Sequence, residues 1–295
     1  LTSDAHARAI LNNATLKWDA QWLAQWHTTL TVGSSDEQSL SDYFRIADGA
    51  WGGNSKFNTN RRQATWQNDI TLDKDVLSLT VENRSESVDS STVYTVTSRD
   101  VRSALVSYAF NRASWNALLV ARNDDNSQFG NVNNWSASGG VRLTDTVRAV
   151  ASMGTSFQAP TFNQLYYPGY GNPALQPQRN RGSEAGLKYH AGGLSLGAVV
   201  YHNDIQGFIS PANNAQSALA VLRGVTFSGE WATGDSSYAL SYDYADPRSY
   251  SSNPATNDQR LVRIAQNVFN ARVNHRLGAL AMFGEIKVSS DREDN

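Results

Sequence analysis

At 295 residues, 40% hydrophobic and with a formal net charge of −2, the chain can form one large β domain or two smaller ones, and its charge makes no case for nucleic acid as a partner. Cysteine is absent, which excludes disulfide scaffolds, zinc–cysteine sites and thiol catalysis. No run reaches the ~18 apolar residues a membrane helix needs, but a mean hydropathy of −0.47 does not exclude a membrane, because a barrel with a wet lumen is apolar only at alternate positions.

From the N-terminus, Thr2–Ile10 is a candidate strand, and the first clear one alternates Leu16, Trp18, Ala20 and Trp22 with Thr15, Lys17, Asp19 and Gln21. Residues 34–60 then read as a long polar loop. After the tight turn Asp73-Lys74-Asp75, Leu77, Leu79 and Val81 alternate with Ser78, Thr80 and Glu82, and a loop follows at 86–97. The turn Asn111-Arg112-Ala113, a loop at 123–134 and the turn Thr144-Asp145 lead to Val147, Ala149, Ala151 and Met153, which alternate with Thr146, Arg148 and Ser152. Loop 156–182, the turn Ala191-Gly192-Gly193, loop 204–222 and the turn Thr233-Gly234-Asp235 come next. Tyr238, Leu240, Tyr242 and Tyr244 form an apolar face before loop 246–262, and Phe269, Ala271 and Val273 form another before Leu277-Gly278.

Tight turns on one end and long loops on the other are what a transmembrane β-barrel requires, with turns in the periplasm and loops outside the cell. The chain therefore reads as all-β, an antiparallel transmembrane barrel of about 13–14 strands in a single domain over 1–295. Tryptophans near strand ends (Trp22, Trp26, Trp66, Trp115, Trp135, Trp231) fit interfacial girdles. Arg148 and Arg272 must face the lumen, since an arginine toward lipid at mid-membrane costs roughly 2–4 kcal/mol. The rival is a soluble antiparallel sheet with one face in a core.

Residues 154–184 carry the most specific pattern: Ala159-Pro160, Leu165-Tyr166, Asn172-Pro173, Leu175, Pro177 and Glu184 in order. Together with Tyr201, Asp204-Ile205 and Phe208-Ile209, it resembles the barrel of TonB-dependent outer-membrane receptors. Gln178 stands where that family usually has Glu, and Thr226 departs from a Gly-Val/Ile-Glu element at Gly224-Val225. The stretches 121–130 and 241–246 resemble the branch that carries cobalamin. The resemblance implies a receptor in the Gram-negative outer membrane that takes up cobalamin (vitamin B12), with outer-membrane lipid around it and TonB as energy-transducing partner. A ferric-siderophore receptor of the same family and a passive porin-like channel are the alternatives. By the same resemblance, the plug domain that contacts TonB and several terminal strands are not in this chain, which reads as a fragment of the barrel.

No catalytic constellation is found, so an enzyme is not expected. The five histidines are scattered, and Asp124-Asp125 reads as a solvated loop start rather than an acid/base pair. The candidate substrate-binding residues are Tyr166, Tyr167, Tyr170 and Asn172, an aromatic and hydrogen-bonding patch suited to a large amphipathic solute, with Trp51 in loop 34–60. The alternative is that these tyrosines pack the loop on itself. No cofactor is required; by resemblance to calcium-ordered loops, Asp36, Asp42 and Asp48 are candidate calcium ligands, or ordinary solvated acids.

Overall fold

The computed structural model describes residues 3–45, 51–254 and 257–293, with side chains from 6–42, 53–254 and 257–293. The strands are β1 (Ser3–Leu23), β2 (Trp26–Arg45), β3 (Trp51–Leu72), β4 (Asp75–Ser90), β5 (Ser98–Asn111), β6 (Trp115–Asn126), β7 (Gly130–Arg142) and β8 (Val147–Gln158). After a short helix α1 (Phe162–Tyr166) come β9 (Gln178–Ala191), β10 (Leu194–Ile209), β11 (Gln216–Thr233), β12 (Ser236–Tyr250), β13 (Gln259–Arg260), β14 (Asn267–Leu277) and β15 (Leu280–Ser289). Neighbours in the sheet follow chain order, and β13 is a two-residue addition to β12. The chain divides into two compact units, one of Leu1–Tyr108, Val120–Asn133 and Ala159–Gln176, the other of Ala109–Leu119, Asn134–Gln158 and Pro177–Asn295.

In the first unit, register aligns Trp18, Leu30, Trp66 and Val81 across four strands, all exposed. The opposite face of the same strands aligns Lys17, Thr31, Thr65 and Glu82. An apolar face that is exposed and a polar face turned inward reverse the arrangement of a soluble sheet, and they are what lipid outside and water inside demand. Near the turn end, the outward Asn68 is kept satisfied: its Oδ1 accepts from Trp26 Nε1 at 3.1 Å and from Thr28 Oγ1 at 2.7 Å.

The second unit repeats the pattern. Leu240, Ala271 and Ile286 align on the outward face of β12, β14 and β15, while Arg272 and Glu285 face each other on the inward side at 3.0 Å. Arg148 likewise turns inward, donating to the Gly140 carbonyl at 3.2 Å and to Asn116. The hairpin between β9 and β10 is closed by Gly192 and Gly193 at φ 56° and 81°, the left-handed pair that a two-residue turn needs to match strand twist.

The sidedness holds, but several loops are shorter than the sequence suggests. Residues 34–45 and 51–60 are paired strand, not loop, and of the candidate strand Thr2–Ile10 the described part, from Ser3, is the upper part of β1 rather than a separate element. Between β6 and β7 only 127–129 turn, and between β10 and β11 only 210–215 lie outside strands. Strands β1, β2 and β3 are 21, 20 and 22 residues long. A tilted membrane strand needs about 9–11, so roughly half of each stands clear of the hydrocarbon.

Candidate functional site

Among the described residues of the first unit, the stretch from Ala159 to Gln176 is the long connection that folds upon itself. Proline at 160, 168 and 173 denies it ladder hydrogen bonds, so its backbone must find local partners. A capping box starts α1: Gln164 N–H donates to Thr161 Oγ1 at 3.1 Å, and Thr161 N–H to Gln164 Oε1 at 2.9 Å. Gly169, at φ 77°, then lets the chain double back, and Asn172 N–H donates to the Gln164 carbonyl at 2.8 Å. Gly171 lies so close to the helix that a Cβ there would stand 2.8 Å from the Leu165 carbonyl.

This loop is fastened to the wall by a few side chains. Leu165 and Leu175 are 1% and 2% exposed, and Phe162 packs with Val88 and Tyr94, flanked by Phe57 and Val96. Arg99, 9% exposed, is the central fastening: it donates to Glu86 Oε2 at 2.7 Å and to the Pro160 carbonyl at 3.1 Å, and lies over the Phe162 ring at 5.2 Å. Tyr94 donates to Asn163 Oδ1 at 2.5 Å and meets the Tyr167 ring edge-on at 6.4 Å. Burial pushes the Tyr94 phenol above its ordinary value, with a smaller push from Tyr167.

The four loop candidates separate. Tyr166 is half-buried and accepts from Gln128 Nε2, so it fastens the loop. Asn172 is exposed, but its Oδ1 accepts from Ala174 N–H at 3.0 Å, which commits it to the turn. Tyr167 and Tyr170, each 45% exposed, present rings to solvent. The tyrosines of this loop therefore divide: Tyr166 packs the loop on itself, while Tyr167 and Tyr170 stand on its surface. Trp51 begins β3, but its side chain lies outside the described residues, and so does Asp48.

Asp36 and Asp42 sit on one extended strand, the first opposite Asn60 and the second opposite Asn54. Six residues of strand separate them by about 20 Å, too far for one ion. Among the described residues no group of three or more histidines and carboxylates could hold a metal. Asp124 and Asp125 point to opposite faces, as strand neighbours must. Asp124 accepts from Arg122 Nε at 2.8 Å, while Arg122 Nη2 reaches Glu82 at 3.0 Å. Thr226, the departure noted above, donates to Asp243 at 2.9 Å and so has an inward-facing role of its own.

Arg99, Glu86, Tyr94 and Gln128 were not among the sequence candidates. Parity puts Arg99 on the face of Val101 and Ser103, both buried, but no local pattern announces that a loop some sixty residues on returns to it.

A family model described as "TonB dependent receptor-like, beta-barrel" matches residues 3–292. The chain is 28% identical over 286 residues to "Vitamin B12 transporter BtuB" of Vibrio vulnificus, a match covering 92% of this chain and 45% of that protein. It is 30% identical over 208 residues to the protein of the same description from Photobacterium profundum, covering 66% and 34%. The chain thus spans less than half the length of these curated relatives. Among solved structures, a mutant of the ferric enterobactin receptor of Pseudomonas aeruginosa superposes with a TM-score of 0.78 at 16% identity, over 97% of this chain and 50% of that one.

Proposed function

The chain belongs to the TonB-dependent receptor-like β-barrel family, and from that premise we propose that it forms wall and ligand-facing loop of an outer-membrane receptor for cobalamin. The family is one of receptors and transporters, not enzymes. The observation that carries the cobalamin reading is the chemistry of the fastened loop. From Ala159 to Pro177 it contains no Asp, Glu, Lys or Arg, while Tyr167 and Tyr170 stand exposed on it. An iron chelate of the catecholate class is an anion and calls for cationic partners. A corrin is a large, weakly charged amphipathic ring system, and stacking aromatics with neighbouring amides suit it. The curated relatives described as vitamin B12 transporters support this choice.

In this reading Tyr167 and Tyr170 contact the ligand, Tyr166 and Asn172 shape the loop, and transport draws energy through TonB. The second reading, a ferric-siderophore receptor, is favoured by likeness of fold alone, to the enterobactin receptor among other siderophore receptors. We assign calcium no site built on Asp36 and Asp42 together, given their separation along β2.

The test is calorimetric titration of the intact protein in detergent with cyanocobalamin and, separately, with a ferric catecholate. Cyanocobalamin binds and the iron chelate does not; Tyr167→Ala and Tyr170→Ala each weaken binding about tenfold, the loss of roughly 1–1.5 kcal/mol expected for an aromatic contact. Binding of the iron chelate with no heat from cyanocobalamin would sink the cobalamin reading.

A further inference from the structure

In the second unit, β8, β9 and β10 set out the outward face as a series of rungs. From the turn end upward they read Val147–Tyr189–Leu196, Ala149–Leu187–Ala198, Ala151–Ala185–Val200, Met153–Ser183–His202, Thr155–Arg181–Asp204 and Phe157–Arg179–Gln206. The lower rungs are apolar and the upper two carry arginine. Some ten residues of strand from Tyr189 to Arg179, tilted by about 40°, rise roughly 25 Å, the height of the apolar band of an outer-membrane wall. Arg179 and Arg181 therefore stand at the cell-surface edge of the hydrocarbon, where an arginine costs about 0–1 kcal/mol rather than the mid-membrane penalty.

Both arginines are exposed, and both point outward on the same strand, about 6.6 Å apart along it. The carboxylate opposite Arg181 is Asp204, and it is engaged by His202 Nε2 at 3.0 Å. Among the described residues neither guanidinium has a salt bridge or a side-chain hydrogen bond. Two other arginines of the unit, Arg223 and Arg248, are instead neutralised internally, sharing Asp246 at 2.8 and 2.7 Å. Phe157, half-buried, stands opposite Arg179 and adds an apolar surface to the same spot.

Two cationic forks beside an aromatic ring, at the depth where lipid headgroups lie, suit an anionic headgroup. Guanidinium groups bind phosphate bidentately, and they do so best where water is partly excluded. We propose that Arg179 and Arg181 form a site for the phosphate groups of the phosphorylated glycolipid of the outer leaflet. The site holds the lipid against β8–β10 and lies on the face opposite the lumen. The assignment rests on the outer-membrane reading above, which sets which end of the strands meets the cell surface.

Native mass spectrometry of the intact protein, released from detergent in the presence of bisphosphorylated lipid A, tests it. Arg179→Gln/Arg181→Gln lowers lipid A retention tenfold or more, and Arg179→Lys/Arg181→Lys, which keeps both charges, retains at least half. Dephosphorylated lipid A is not retained above background by the unsubstituted protein. Equal retention by the Gln pair, equal retention of the dephosphorylated lipid, or full displacement by millimolar inorganic phosphate would overturn the proposal. Cyanocobalamin titration of the same samples keeps the two readings apart. It is unchanged in the Gln pair, and its failure in the unsubstituted protein would count against the cobalamin reading while leaving the lipid result to stand.

Discussion

Residues 34–60 and 159–176 both belong to the cell-surface end of the first unit, and they are held up by different means. In the former, the described residues continue the ladder, Ser34 opposite Arg62 through Tyr43 opposite Gly53, with stability spread over main-chain hydrogen bonds. In the latter, proline interrupts the ladder, and a short helix is held by Arg99, Tyr94, Gln128 and two fully buried leucines. A connection that keeps its backbone donors can climb as a hairpin; one that loses them must fold inward and depend on a few side chains. The first design tolerates substitution and the second concentrates its sensitivity.

The largest effect is expected at Arg99. Arg99→Ala leaves the Pro160 carbonyl without its buried partner and Glu86 with Arg84 alone, at 3.2 Å, and should cost about 2–3 kcal/mol of loop docking. Amide hydrogen exchange at Leu165 and Leu175 should then accelerate by about two orders of magnitude while 34–42 is unchanged. Equal acceleration in both stretches would erase the distinction.

A smaller loss, about 1 kcal/mol, is expected for Tyr94→Phe, which removes the donor to Asn163. Because the folded-state phenol is raised above its ordinary value near 10, Tyr94 favours docking fully below that pH. The contribution disappears as pH rises through the raised value. Exchange at Leu165 should therefore quicken at alkaline pH in the wild type and lose that dependence in Tyr94→Phe. The smallest effect belongs to the ladder. Asp36→Asn should change exchange at its neighbours by less than about 0.5 kcal/mol, since a half-exposed polar contact is all it alters.

The same contrast explains what could be read before any coordinates. Turns such as Gly192-Gly193 announce themselves, because few other pairs accept two positive φ values. The outward Tyr238, Leu240, Tyr242 and Tyr244 are legible because lipid outside and water inside impose a period of two. Above the membrane both faces of β2 and β3 meet water, the period disappears, and strand looks like loop. The turn at Ala24-Gln25 contains no Gly, Asn or Pro, so the sequence does not mark it. In the loop, composition identified the tyrosines but not their directions; Tyr166 turns inward because Gln128 awaits it, a partner no local spacing reveals.

The height of β1, β2 and β3 also bears on how the cell surface is met. On the outer-membrane reading, whatever arrives from outside meets the described upper ladder, Ser34 opposite Arg62 to Tyr43 opposite Gly53, before it meets the lipid. The shape of that ladder is set by main-chain pairing, so its side chains can change while the scaffold stays the same. Substitution along that ladder should cost little, and tolerance should fall off sharply at Arg99 and its partners.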